Sequence, residues 1–177
     1  PAALEGLLDQ HDAINFVELD GLIRSLVLEP PAGAMPADIE PDMPILIVAN
    51  HTSWWDGFVI LAVRRRLRPR GPFRAVVSET ELRRHPVLDR IGGVPLRPGA
   101  PGSVLRTFRG LRRLRVARPD LSVLFFPQGR IWPSHRRPLG FRRGVTTLSR
   151  PLAPVVVLPV GLPYEPLTHA SPSAFVS

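Results

Sequence analysis

The chain has 177 residues, 44% of them hydrophobic, and a formal charge of +8. That suits one folded domain with a sizeable core and excludes a chain disordered throughout, while the absence of cysteine removes disulfides, a thiolate nucleophile and any cysteine metal site. All 23 basic residues are arginines, so Schiff-base lysines and Walker-type phosphate loops are excluded as well, and the charge points to an anionic counterpart or simply to a solvated basic surface.

In chain order, Ala2 to Leu28 carries a wide apolar stripe through Leu4, Leu7, Leu8, Ile14, Val17, Leu22, Ile23 and Leu26. This predicts one or two helices ended by Pro30 and Pro31, so residues 1–31 form an amino-terminal helical segment that either packs on the domain or contacts a membrane. No apolar stretch reaches the roughly 18 to 20 residues that span a bilayer. Past a linker rich in proline and alanine, residues 45–177 read as an α/β core.

In that core, the apolar run Ile45 to Val48 predicts a strand, Phe58 to Arg66 a helix and Phe73 to Val77 a second strand. Glu79 to Arg90 has helical signals that Pro86 should bend or divide, and Val94 to Leu96 a short extended piece after Gly92 and Gly93. From Gly102 to Val116, Val104, Phe108, Leu111 and Leu114 repeat near the helical period among arginines, which predicts a helix with one packed and one basic side. Leu121 to Phe126 and Val155 to Val160 are continuous β-branched and apolar runs, the pattern of strands buried on both faces. Helices alternating with such strands predict a single α/β domain with a largely parallel or mixed central sheet flanked by helices.

Chemistry concentrates after the first strand, in Asn50 to Gly57, NHTSWWDG. A neutral imidazole near a hydroxyl can take its proton, and a carboxylate on the other ring nitrogen fixes the tautomer and stabilises the imidazolium. On one continuous helix, His51 and Asp56 would lie about 140° apart, so the pair works only if the chain turns between them. Asn50, Thr52 and Ser53 are the residues to make that turn, leaving Asp56 at the head of the next helix. Trp54 and Trp55 either line an entrance or pack in the core. Downstream, Phe125 to Arg130, FFPQGR, ends a buried strand, with Gly129 permitting close backbone approach to a ligand and Arg130 supplying a fixed positive charge. Between them Ile91 to Gly99, IGGVPLRPG, pairs glycines with Arg97. By itself FFPQGR is equally readable as a strand-ending turn, and IGGVPLRPG reads more readily as an ordinary turn with a solvated arginine.

Taken together and in order, NHTSWWDG, GGVPLRPG, FFPQGRIW and VVVLPVG resemble the four blocks of the glycerolipid acyltransferases typified by the lysophosphatidic acid acyltransferases. The match spans Asn50 to Gly161. Gln128 stands where that family usually has glutamate, Arg130 and Ile131 occupy its usual threonine and arginine positions, and Pro98 aligns with its second-block arginine, one place after Arg97.

The resemblance implies an O-acyltransferase in which His51 is the general base and Asp56 its orienting partner. Acyl-coenzyme A or acyl-carrier protein would be the donor, and a lysophospholipid such as 1-acylglycerol-3-phosphate, or another lipid alcohol, the acceptor. Gln128, Gly129 and Arg130, with Arg97 behind them, would hold the acceptor phosphate or head group; no metal and no cofactor is required. A cytoplasmic, peripheral location against anionic lipid follows, with the amino-terminal segment and the basic helix as the candidate contacts. Two other readings stand beside it: an inactive lipid-binding relative, prompted by Gln128, and a basic nucleic-acid-binding module, which the lack of aromatic and basic alternation on a strand disfavours.

Overall fold

The structure, a computed structural model, describes residues 40–162, 164–165 and 173–174. The helical segment expected over residues 1–31 lies outside the described residues. The elements run β1 (Ile45–Ala49), α1 (Asp56–Leu67), β2 (Phe73–Ser78), α2 (Glu79–Arg84), α3 (Val87–Arg90), β3 (Gly93–Leu96), α4 (Pro101–Ala117), β4 (Ser122–Phe125), α5 (Gly144–Ser149), a 3-10 turn (Arg150–Leu152) and β5 (Val156–Val160). Two-residue strands β6 (Tyr164–Glu165) and β7 (Ser173–Ala174) pair antiparallel with each other.

The five main strands form one sheet in the order β3-β2-β4-β1-β5, and every pairing in it is parallel. The sheet expected as parallel or mixed is therefore wholly parallel. All strands point the same way, so their carboxyl ends gather His51, Gln128 and Leu96 along one edge. Ile47 at the centre lies between Leu124 of β4 and Leu158 of β5.

Strand alternation divides the core into two layers. Ile45, Ile47 and Ala49 face α1, where they meet Val59, Ile60 and Val63, with Leu124 from β4 in the same layer. Leu46 and Val123 face the other way, onto Leu111 of α4, Leu148 of α5 and Leu152. Both β1 and β4 are thus covered on both sides, which is why their sequences are unbroken apolar runs. Fully burying a leucine such as Leu111 or Leu46 stabilises the fold by about 2 kcal/mol each.

The run at Val155 to Val160 has the same composition but not the same setting. Its strand β5 ends the sheet, Val157 is 44% exposed, and Pro159, which has no amide hydrogen to give a neighbour, is exposed too. Burial on both faces, expected from its apolar sequence, fails because the strand is at the edge.

Pro86 divides the expected helix into α2 and α3, as its missing donor and ring require. Ser78 starts α2 by accepting the amide of Glu81 at 3.1 Å. Helix α4 carries its two-sided pattern into the fold: Thr107 and Leu111 are buried against the sheet, while Arg106, Arg109, Arg112 and Arg113 are exposed. Thr107 also donates its hydroxyl to the carbonyl of Pro95 at 2.6 Å, tying α4 to β3.

Candidate active site

After Ala49 the chain leaves the sheet through a short turn before α1 begins at Asp56. Ser53 shapes this turn, its hydroxyl accepting the Trp55 amide at 3.1 Å and its carbonyl the Asp56 amide at 3.3 Å. The turn brings the two ends of the motif together: His51 Nδ1 lies 2.9 Å from Asp56 Oδ2. Asp56 is fully buried, and the same oxygen accepts the amides of Thr52 at 2.6 Å and Ser53 at 3.0 Å. A carboxylate fed by backbone donors at the first turn of a helix sits where the helix dipole also favours negative charge. With Nδ1 turned to Asp56, Nε2 is the ring nitrogen left for a substrate.

His51 is held from further sides. Its imidazole stacks on the Phe126 ring, centroids 4.1 Å apart and planes 12° from parallel. Its carbonyl accepts the Trp132 amide at 2.7 Å. Its own amide donates to Gln128 Oε1, and Gln128 Nε2 donates to the Leu139 carbonyl at 2.9 Å. One residue ahead, Asn50 receives the Leu162 amide at 2.6 Å and donates to the Leu162 carbonyl at 3.0 Å, which fixes the start of the turn to the end of β5.

The residues proposed from sequence to hold an acceptor part company here. Gly129 and Arg130 line the cleft beside His51. Gly129, at φ +68°, closes the turn by donating to the Phe126 carbonyl at 3.0 Å. The Arg130 guanidinium lies 4.4 Å from the centre of the Trp132 ring, on which Arg136 also stacks at 4.6 Å. Gln128, by contrast, is 2% exposed with both ends of its amide engaged inside the protein, and it is not among the residues that line the cleft.

Arg97 is turned away from the cleft. Leu96 and Pro98 line the cleft wall, and Arg97 between them projects to the opposite side, as alternation along extended chain demands. There Arg97 Nε pairs with Glu79 Oε2 at 2.9 Å, and Glu79 also pairs with Arg83 at 2.7 Å. Partial desolvation works to raise the Glu79 carboxyl, but the Arg97 and Arg83 guanidiniums together outweigh it and hold it below its ordinary value. The expectation that Arg97 supports acceptor binding does not fit this placement.

The cleft itself has a volume of about 660 Å³. Phe58, Ala75, Val77 and Leu88 contribute apolar surface on the α1 side of the sheet, and Val104, Phe108, Phe125 and Leu148 on the α4 side, with His51 and Arg130 among the polar lining groups. Arg142, not singled out from sequence, also lines it, as does Trp54, 36% exposed beside Phe58 and His85; Trp55 does not line it. Phe126 and Trp132 were likewise not singled out as parts of the site, and Asn50 only as a former of the turn. Phe126 was visible in the FFPQGR block, but nothing in the sequence announced that its ring would lie on an imidazole 75 residues earlier.

A parallel α/β domain here sets a buried carboxylate behind an imidazole, at the mouth of an apolar cleft with an arginine beside it, an arrangement able to move a proton next to an apolar ligand. The acyltransferase family model, described as Acyltransferase, matches residues 34–162, well over half of the sequence, and the chain belongs to that family. Its reaction class is therefore acyl transfer. Searches of curated proteins and of solved structures gave no significant match. Among the described residues no helix is long and apolar enough to cross a membrane, and no three His, Asp or Glu side chains are grouped to hold a metal ion.

Proposed function

We propose that the protein moves a fatty acyl group from acyl-coenzyme A or acyl-carrier protein to the free hydroxyl of a lysophospholipid such as 1-acylglycerol-3-phosphate. The single observation that carries this is the His51–Asp56 contact of 2.9 Å at the mouth of a cleft whose walls are apolar on both sides of the sheet.

In this reading His51 Nε2 takes the proton of the acceptor hydroxyl as its oxygen attacks the thioester carbonyl carbon. The imidazolium is stabilised by Asp56. As the tetrahedral adduct collapses, the carbon–sulfur bond breaks and the departing thiolate receives that proton from Nε2, so no acyl-enzyme forms and the base is restored. The cleft walls hold the acyl chain, whose transfer from water contributes about 0.8 kcal/mol per buried methylene. Arg130 and Arg142 supply the positive charge for the acceptor phosphate, Arg130 through its planar fork.

A peripheral position against anionic lipid belongs to the same proposal. The exposed arginines of α4 support it, since a basic surface near the bilayer gains about 1 kcal/mol per charge. Sedimentation with anionic and neutral vesicles tests this part; equal solubility in both counts against it.

The enzymatic part is tested by thiol release from one long-chain acyl thioester across a panel of acceptors, comprising lysophosphatidic acid, other lysophospholipids, glycerol 3-phosphate and uncharged lipid alcohols. Acyl transfer to a lysophospholipid that His51→Ala abolishes without unfolding the protein is the expected result. Retained turnover in that variant would remove His51 from its role, and no release with any acceptor would favour a lipid-binding protein without activity.

A further inference from the structure

We infer that Gln128 is a positioning residue for His51, and that the site needs an amide at this position and not a carboxylate. The inference rests on the reading of His51 as the general base.

The polarity of its partners fixes how the side chain is used. A backbone N–H can only donate and a backbone carbonyl can only accept, so the His51 amide requires an acceptor from residue 128 and the Leu139 carbonyl a donor. A primary amide satisfies both at once. An ionised glutamate of the same length would satisfy the first and set its second oxygen against the Leu139 carbonyl, two acceptors with no proton between them. At 2% exposure there is no room for solvent to soften that contact, and an unmatched buried polar group costs about 1–3 kcal/mol, more if charged.

What the amide holds is the backbone that aims the catalytic ring. Gln128 takes the His51 N–H and Trp132 gives its amide to the His51 carbonyl at 2.7 Å, so both polar backbone atoms of residue 51 are fixed by the segment that follows β4. Phe126 from the same segment supports the ring face. The other end of the Gln128 amide holds Leu139, near the end of the loop that contains Arg130 and shortly before Arg142, the two guanidinium-bearing walls of the cleft. One side chain thus sets the base and the proposed head-group arginines relative to each other. A displacement of the order of 1 Å at a reacting group can cost about a hundredfold in rate. Gln128 touches no reacting atom itself.

The test compares Gln128→Met, which keeps length and removes both hydrogen bonds, with Gln128→Glu, which keeps the acceptor alone. Acyl-thioester turnover at neutral pH and backbone amide exchange at residue 51 are measured for each. Both variants should lose about tenfold to a hundredfold in kcat, with any rise in KM for the acceptor well below that factor. Amide 51 should be protected in the parent and in His51→Ala, and lose that protection in Gln128→Met. A rise in acceptor KM with unchanged kcat would make Gln128 a ligand and overturn the inference, as would full activity of Gln128→Glu or undiminished protection in Gln128→Met. Should Gln128→Glu fail to fold, the methionine variant and the exchange measurement decide. Should the parent turn over no acyl thioester, the exchange result still reports on the brace, while the proposed reaction alone fails.

Discussion

A single oxygen of Asp56, Oδ2, receives His51 Nδ1 at 2.9 Å and the amides of Thr52 and Ser53 at 2.6 and 3.0 Å. The turn between the two residues is therefore organised by the same atom that orients the ring. Asp56→Asn, presented with its carbonyl oxygen at that position, keeps an acceptor for all three donors and removes the charge. Its fold should survive and its kcat should fall by about a hundredfold or more, since the neutral partner no longer stabilises the imidazolium. Asp56→Ala should also lower the unfolding temperature, because the two amides lose their acceptor. Kinetics and thermal unfolding of both variants check this; equal activity of Asp56→Asn and the parent would leave the carboxylate with a structural role only.

His51 and Asp56 were legible in the sequence because the contact is local: a strand, a turn of small polar residues and a helix start leave few ways to arrange five positions. The sheet was legible for the same reason, as runs of β-branched residues separated by helical patterns. What escaped depends on strands meeting across the chain. Phe126 reaches the imidazole because β1 and β4 pair in parallel with Val48 opposite Phe125, a register no local pattern encodes. The exposure of Val157 depends on which strand ends the sheet. Helix α5 has no comparable signal, since GVTTLS has weak helical propensity and is held by tertiary packing through Leu148, 2% exposed.

Gly71 precedes β2 at φ +89°, and a Cβ there would lie 2.4 Å from the Asp120 carbonyl oxygen and 2.7 Å from its Oδ2. The loop carrying Asp120 has little freedom to retreat, because the Ser122 amide is bound to the Pro72 carbonyl at 2.9 Å. Gly71→Ala combines an unfavourable backbone conformation with a backbone clash and should cost at least about 2 kcal/mol. For a domain of this size the unfolding temperature should drop by roughly 4–8 °C. This turn is at the far end of the sheet from His51, so kcat measured well below the transition should hold.

Gly144 opens α5 beneath the Phe125 ring, and a Cβ at this position would lie 2.7 Å from the ring's Cζ atom. Both residues line the cleft. Gly144→Ala must push the ring aside, at a cost of about 1–3 kcal/mol, and the displaced ring narrows the space between α5 and the sheet. The expected outcome is a preference shifted toward shorter acyl thioesters, read as the ratio of kcat/KM for short and long donors. An unchanged ratio would place the acyl chain in the other half of the cleft, against α1.

Arg130 offers the sharpest division between charge and shape. Its guanidinium lines the cleft and stacks on Trp132, so truncation removes both the proposed phosphate partner and part of the support for the loop. Losing loop support affects every acceptor alike. Losing the phosphate contact affects only those that carry phosphate, and a charge-assisted hydrogen bond is worth about 1.5–3 kcal/mol, or roughly tenfold to a hundredfold in KM. Arg130→Ala should therefore raise KM for a lysophospholipid phosphate by about that factor more than it does for an uncharged lipid alcohol. Adding Arg142→Ala should deepen the difference if both arginines face one phosphate. Equal losses on charged and uncharged acceptors would confine Arg130 to holding Trp132 and move the phosphate contact elsewhere.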